Sequence, residues 1–249
     1  SKRADLAAAL TTNGLKAQVL NQSESIAWLL NTRADDIAGL PVARSFATLH
    51  ADGAVDWYIA PERVSEAMHR TLDNRVAIYH PDEMLGRLAA MSGPVGLDFG
   101  TCNAAIAHAL EGAGIEVRAN VDPIILPRAI KNLVEQQGAR DAQRRDARAV
   151  IRFARWLSQH SDIKQESELS VIDKILALRE ENPDAVRMNG ASFGTIAGYR
   201  GNAAMGHYSA NEDTNAALAP GGMLLVDSGG QYLNGTTDIT RVWAVGGEA

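Results

Sequence analysis

The sequence predicts an α/β layer domain over residues 1–121 joined to an α+β domain over residues 122–249. Three observations predict it. Helical and strand signals alternate through the first half, the pattern of a layered α/β domain. Asp122, Pro123, Ile124, Ile125, Leu126 and Pro127 then interrupt that rhythm, because two prolines four residues apart suit neither a helix interior nor a central strand. Beyond them come two long helical patterns, then strands and glycine-rich loops.

Taken in order, a helix over residues 2–13 stops at Asn13-Gly14, a strand covers residues 17–20, and the apolar group Ile26 to Leu30 leads into a loop around residues 31–41. Residues 55–59 and 75–79 read as strands, Pro61 and Pro81 each open a helix, and residues 95–97 lead to a helix near residues 103–112. In the second half a long helix runs over about residues 131–160, with Ala147, Val150, Ala154 and Leu157 at spacings of three and four. A second covers residues 168–181 and ends before Pro183.

With 249 residues the chain can hold two ordinary domains with sizeable cores. Its net charge of −6 argues against sequence-independent nucleic-acid binding, which needs surplus Lys and Arg to neutralise phosphates. A single cysteine, Cys102, rules out an intrachain disulfide framework, and no apolar run is long enough to cross a bilayer or act as a signal peptide. A reducing cytoplasm is the expected compartment, with no membrane partner. Residue 1 opens directly into a helical pattern with neither an initiator Met nor a leader, so the sequence reads as an excerpt.

The most informative stretch carries Asp227 and Asp238, eleven residues apart around a hairpin. Met223 to Val226 form an apolar run with the length of a buried strand, Asn234-Gly235 suits a tight turn, and Ile239 to Val245 alternate like a half-buried strand. With Asn234-Gly235 as a two-residue turn, Gln231 pairs with Asp238, and Asp227 lies on the same face four residues away, about 13 Å. A wider loop or a bulge at Gly229-Gly230 would bring them closer. The residue types leave two readings open: a solvated strand pair, or oxygen ligands for a hard divalent cation. Asp227 follows four apolar residues, where an unpaired carboxylate is costly.

The other candidates have ordinary explanations. Arg145, Arg148, Arg152 and Arg155 form a basic stripe expected to be a solvated helix face. Asp98-Phe99-Gly100 matches the magnesium triplet of protein kinases without its required context, so it is read as structural. Cys102 lies near a helix start that could lower its thiol pKa, but no partner base accompanies it. Five histidines stand alone. His207 differs, since it follows a small-residue strand and could donate a hydrogen bond to a substrate carbonyl.

Gly201-Asn202-Ala203-Ala204-Met205-Gly206-His207-Tyr208, Val226 to Tyr232 and Gly235 to Arg241 together closely resemble aminopeptidase P, the Xaa-Pro aminopeptidase of the pita-bread metallopeptidases. Ala27 to Ile37 resembles the family's middle-domain signature, and Ile130-Lys131-Asn132 to Glu135 the start of its catalytic domain. The resemblance is to the longer, three-domain form, and it implies a creatinase-like α/β domain over residues 1–121 followed by the N-terminal half of a pita-bread domain over residues 122–249.

The resemblance further implies that Asp227 and Asp238 match two of five ligands to a pair of divalent metal ions, Mn²⁺ before Zn²⁺ or Co²⁺, and that His207 matches the substrate-side histidine. The implied reaction is hydrolysis of the bond between an N-terminal residue and a following proline, by a metal-activated bridging water. Peptides with proline at the second position are the implied substrates, and a homodimer the implied full-length assembly. The remaining His and two Glu ligands belong beyond residue 249, so residues 1–249 alone are expected to be inactive. Arg241-Val242-Trp243 departs slightly from the family's usual Arg-Thr-aromatic run. A prolidase or creatinase-like hydrolase, or a non-catalytic pita-bread peptide- or protein-binding module, are the alternatives.

Overall fold

The computed structural model describes residues 2–181 and 190–246, which fall into two compact units. The first comprises residues 1–37 and 42–131, and the second residues 38–41 and 132–249.

The first unit is built on one six-stranded mixed sheet of order β4-β3-β2-β1-β5-β6. Its strands are β1 (Ala17–Leu20), β2 (Phe46–His50), β3 (Val55–Tyr58), β4 (Val76–Tyr79), β5 (Val95–Leu97) and β6 (Val117–Ala119). The helices are α1 (Lys2–Thr12), α2 (Ser23–Leu30), α3 (Glu66–Thr71), α4 (Met84–Ala89), α5 (Ala104–Gly112) and α6 (Ile125–Ala129). Strand alternation divides the apolar residues between two cores. Leu20 and Trp57 join Leu6, Leu10, Ile26 and Leu29 of α1 and α2 on one side, while Val19 and Tyr58 join Leu88, Ile106 and Leu110 of α4 and α5 on the other.

Three elements depart from the sequence reading. Strands β2 and β6 went unread, because β2 gains its place by pairing with β1 and β3 and β6 has only three residues. Residues 122–127 do not end the first unit: Pro127 is accommodated in the short helix α6, where its missing N–H falls within the first turn, and the division comes after Lys131. There Asn132 accepts from the Glu135 backbone N–H at 2.9 Å while Glu135 accepts from that of Asn132 at 2.8 Å, a capping box that starts a new helix.

That helix, α7 (Leu133–Gln159), and α8 (Glu168–Glu180) pack on one face of an antiparallel three-stranded sheet of order β11-β8-β7. Its strands are β7 (Ile196–Tyr199), β8 (Gly222–Ser228) and β11 (Ile239–Val245); β9 (Gln231–Tyr232) and β10 (Gly235–Thr236) form the hairpin tip. Pro183, expected to follow the second helix, lies outside the described residues. The buried stripe of α7 runs through Ala142, Asp146, Ala149, Val150, Phe153 and Leu157, leaving Ala147 and Ala154 half-buried at its margin.

The stripe turns toward Asp146 because that residue belongs to the core. Its carboxylate receives Arg179 Nε of α8 at 2.7 Å and Nη2 at 3.2 Å, and Tyr232 donates its hydroxyl to it at 2.9 Å. Arg179 Nη2 also donates to Ser228 Oγ at 3.0 Å, so one buried ion pair joins α7, α8, β8 and β9. Both charged residues are about fully buried, at 1% and 0% exposure, and their pairing replaces water.

Replacing Arg179 by Met should strand the Asp146 charge and lower the unfolding free energy by about 3–5 kcal/mol in urea titrations, with partial recovery in the Asp146→Leu/Arg179→Met double variant. Burial, together with the Asp146 charge, raises the Tyr232 phenol above its usual range. In the folded protein it keeps its proton where the unfolded chain loses one, so its contribution is complete below about pH 10 and is lost as pH rises further. Tyr232→Phe should therefore show a shallower decline in stability above that pH.

Candidate metal centre

Along β8 the residues alternate between two environments. Leu224, Val226 and Ser228 are buried on the helix side, whereas Met223, Leu225 and Asp227 face the other way and are exposed or half-buried. β11 runs antiparallel beside them, with Thr240 opposite Asp227 and Ile239 opposite Ser228. The hairpin tip pairs Gln231 with Thr236 and Tyr232 with Gly235. Both segments count to one register, which sets Asp238 opposite Gly229 and makes it the diagonal neighbour of Asp227 on the same face.

This corrects the expected hairpin. The two-residue turn is Leu233-Asn234, not Asn234-Gly235, and neither Asn234 nor Gly235 takes positive φ. Gly235 is required for another reason: a Cβ there would meet Ala142 Cβ at 2.9 Å and the Gly138 carbonyl oxygen at 3.2 Å on α7. A Cβ on Gly138 would in turn strike the Asn234 carbonyl. Two glycines thus let the helix press against the hairpin tip. The shift shortens the along-strand offset between the carboxylates from four residues to two, from about 13 Å to about 7 Å.

The ladder is pinched between these segments. Gly230 N–H donates to Thr237 Oγ1 at 2.8 Å, and Ser192 Oγ donates to the Thr237 carbonyl at 2.8 Å. Gly229 has no room for a side chain, since a Cβ would run into that carbonyl and Ser192 Oγ. Gly229, which the sequence pointed to as a bulge position, and Ser192, which it did not single out, pack against the Thr237 carbonyl between the two segments.

Asp227 is half-buried, and its Oδ1 is shielded from solvent without a hydrogen-bond donor. An orphaned buried carboxylate oxygen is costly, and a cation or an ordered water would satisfy it. Asp238 is exposed. The donor chemistry suits hard divalent ions, but no third His, Cys, Asp or Glu joins the pair among the described residues.

The segment before His207 reaches this region by a different route. After β7 a 3-10 turn over Arg200–Ala204 folds back, and a Cβ on Gly198 would meet Ala203 Cα at 2.8 Å and its N at 2.9 Å. Gly198 pairs with Leu225, so the turn lies over the face that carries Asp227. His207 follows it, exposed and with φ of 57°. That left-handed conformation is uncommon outside glycine and must be held by its surroundings.

The remaining candidates have structural roles. Asp98 accepts from Gly100 N–H and Asp122 N–H, both at 3.0 Å, and so shapes a turn. α5 is capped by Asn103, and burial, then the Asp98 charge, pushes the Cys102 thiol up, opposite to the direction its position near a helix start suggested. Arg152 pairs with Glu181 at 2.6 Å on the exposed face of α7. Gly198→Ala should cost about 1–3 kcal/mol by overpacking against Ala203, whereas Gly201→Ala, with open space around it, should be near neutral in the same thermal unfolding assay.

Residues 1–135 match the Creatinase/Prolidase N-terminal domain family, and residues 137–249 match metallopeptidase family M24. Xaa-Pro aminopeptidase 1 of Dictyostelium discoideum is 32% identical over 236 residues, covering 90% of this chain and 35% of that protein. Aminopeptidase P1 of Arabidopsis thaliana is 28% identical, covering 95% of this chain and 44% of that protein. The chain thus spans less than half the length of these relatives. Among solved structures, the X-prolyl aminopeptidase of Caenorhabditis elegans, described as a cytosolic enzyme with a di-nuclear active site, superposes with a TM-score of 0.87 at 27% identity, covering 100% of this chain and 41% of that one. The prolidase of Pyrococcus horikoshii shares the fold with a TM-score of 0.77 at 19% identity, covering 100% and 66%. The chain therefore belongs to the creatinase/prolidase N-terminal domain family through its first 135 residues, continues into a metallopeptidase M24 segment, and resembles aminopeptidase P across both.

Proposed function

We propose that this chain is part of a metal-dependent aminopeptidase that cleaves the bond between an N-terminal residue and a following proline. The observation that carries the reading is the register of β8 and β11, which sets Asp227 and Asp238 diagonally on one open face with Asp227 Oδ1 buried and unpartnered. The named relatives and the di-nuclear site of the C. elegans enzyme support it.

Asp227 and Asp238 would hold the metal ions, with Mn²⁺ the preferred divalent cation. Bound there, such ions supply positive charge and lower the pKa of a water that serves as nucleophile. In this reading His207 would donate a hydrogen bond to the scissile carbonyl as negative charge builds on its oxygen. A proline at the second position fits a site that asks for no N–H from the scissile amide, since that amide is tertiary. Asp227 is half-buried and Asp238 exposed, so both carboxylates are accessible from the open face. The same reading carries a cytoplasmic location, a homodimer at full length, and three further ligands outside residues 1–249.

The test uses the full-length protein and an Xaa-Pro-Xaa peptide. Release of the first residue should require Mn²⁺, and Asp227→Asn or Asp238→Asn should each reduce it by about 100-fold or more while weakening metal binding in calorimetry. Residues 1–249 alone should release nothing. A full-length protein that neither binds metal nor cleaves the peptide would leave the non-catalytic binding module as the better reading.

A further inference from the structure

Glu168, the first residue of α8, is fully buried at 0% exposure and lies outside the candidate metal centre. A carboxylate at this point of a helix ordinarily turns to the free N–H groups of the first turn. Here the cap is Ser167, which accepts from Ser170 N–H, and the Glu168 side chain is left for other partners.

All of its partners lie 31 to 48 residues further along the chain. Oε1 accepts from the Tyr199 backbone N–H at 2.6 Å and from Asn202 Nδ2 at 3.1 Å. Oε2 accepts from Asn202 Nδ2 at 3.2 Å, the Tyr208 hydroxyl at 2.8 Å and the Ala216 N–H at 3.0 Å. Tyr199 precedes the 3-10 turn, Asn202 lies within it, and Tyr208 is the residue after His207. One carboxylate therefore grips the start, middle and end of the segment that carries His207. The tie is mechanical, because His207 sits in a left-handed backbone conformation that its neighbours must enforce.

We propose that Glu168 is the positioning residue for His207, fixing the imidazole over the carboxylate-bearing face through Tyr199, Asn202 and Tyr208. This rests on the reading of His207 as the substrate-side histidine. A buried carboxylate suits the task because every one of its contacts is a donor, and an amide in its place would turn an NH₂ group toward one of them. Small displacements matter here, since a group that stabilises developing charge must be held to a fraction of an ångström.

The experiment is a double-mutant cycle in the full-length protein with Mn²⁺, using an Xaa-Pro-Xaa peptide. Glu168→Gln should lower kcat about 10- to 100-fold with KM unchanged. In a His207→Ala background, the same substitution should cause no further loss. The His207 Cα resonance should also move from its left-handed value toward that of a disordered residue in Glu168→Gln. Tyr208→Phe removes one oxygen and leaves the carboxylate, and it carries the same cycle with a smaller loss should Glu168→Gln fail to fold. An unchanged kcat in the single variants overturns the inference, as does a loss of equal size in both backgrounds, the mark of general destabilisation. A wild-type enzyme unaffected by His207→Ala overturns instead the reading of His207, and the inference with it.

Discussion

The approach of α7 to the hairpin tip is the constraint on which the candidate site depends. Gly138 and Gly235 lack side chains where the helix and β10 meet, and each would collide with the other element if it carried a Cβ. With the tip seated there, the turn closes at Leu233-Asn234 and the strands have one register available to them. That register makes Asp238 the diagonal neighbour of Asp227. A slip of one pairing would move whole rows of side chains between the two faces.

The ion pair of Asp146 and Arg179 holds the same register from behind the sheet. Its hydrogen bonds reach Ser228 and Tyr232, one residue after Asp227 and at the base of the turn. Burying two charges is a poor way to gain stability, since apolar residues of similar size do as well. Its use here is positional: the pair ties α7, α8, β8 and β9 at fixed points beneath a face on which two carboxylates must be held near each other. Glu168 serves in the same way on the other flank, anchoring the segment around His207 to the start of α8. Two buried carboxylates thus tie the elements around the candidate site: Asp146 those of the carboxylate hairpin, Glu168 those around His207.

Much of this was legible beforehand, for physical reasons that differ from element to element. The stop at Asn13-Gly14, the apolar spacing of the long helix α7 and the apolar runs of β1, β3 and β8 are local signals, decided by residues next to one another. Strands β2 and β6 were not legible, because their own residues fit other structures equally well: β2 (Phe46–His50) mixes Ala, Thr and His without a clean alternation, and β6 has only three residues. Asn234-Gly235 misled because the dipeptide is the usual mark of a turn requiring positive φ. Its glycine serves packing against α7, which sequence proximity does not reveal. Glu168 and Ser192 carried no signal at all, their partners being scattered over 31 to 48 and 45 residues of chain respectively.

By itself the sequence determined the layered class of the first half, the long helices of the second, and the identity of the residues able to hold a cation, because propensity, capping and side-chain chemistry are properties of short stretches. It also carried a resemblance to aminopeptidase P across both halves. Only the tertiary structure decided that Asp227 and Asp238 stand two residues apart along one face, that Asp227 Oδ1 is buried without a partner, and that the turn before His207 folds over the same side. Those outcomes are set by contacts between distant segments, where the space left by a missing Cβ or the reach of a buried carboxylate chooses among registers that local preference leaves equal.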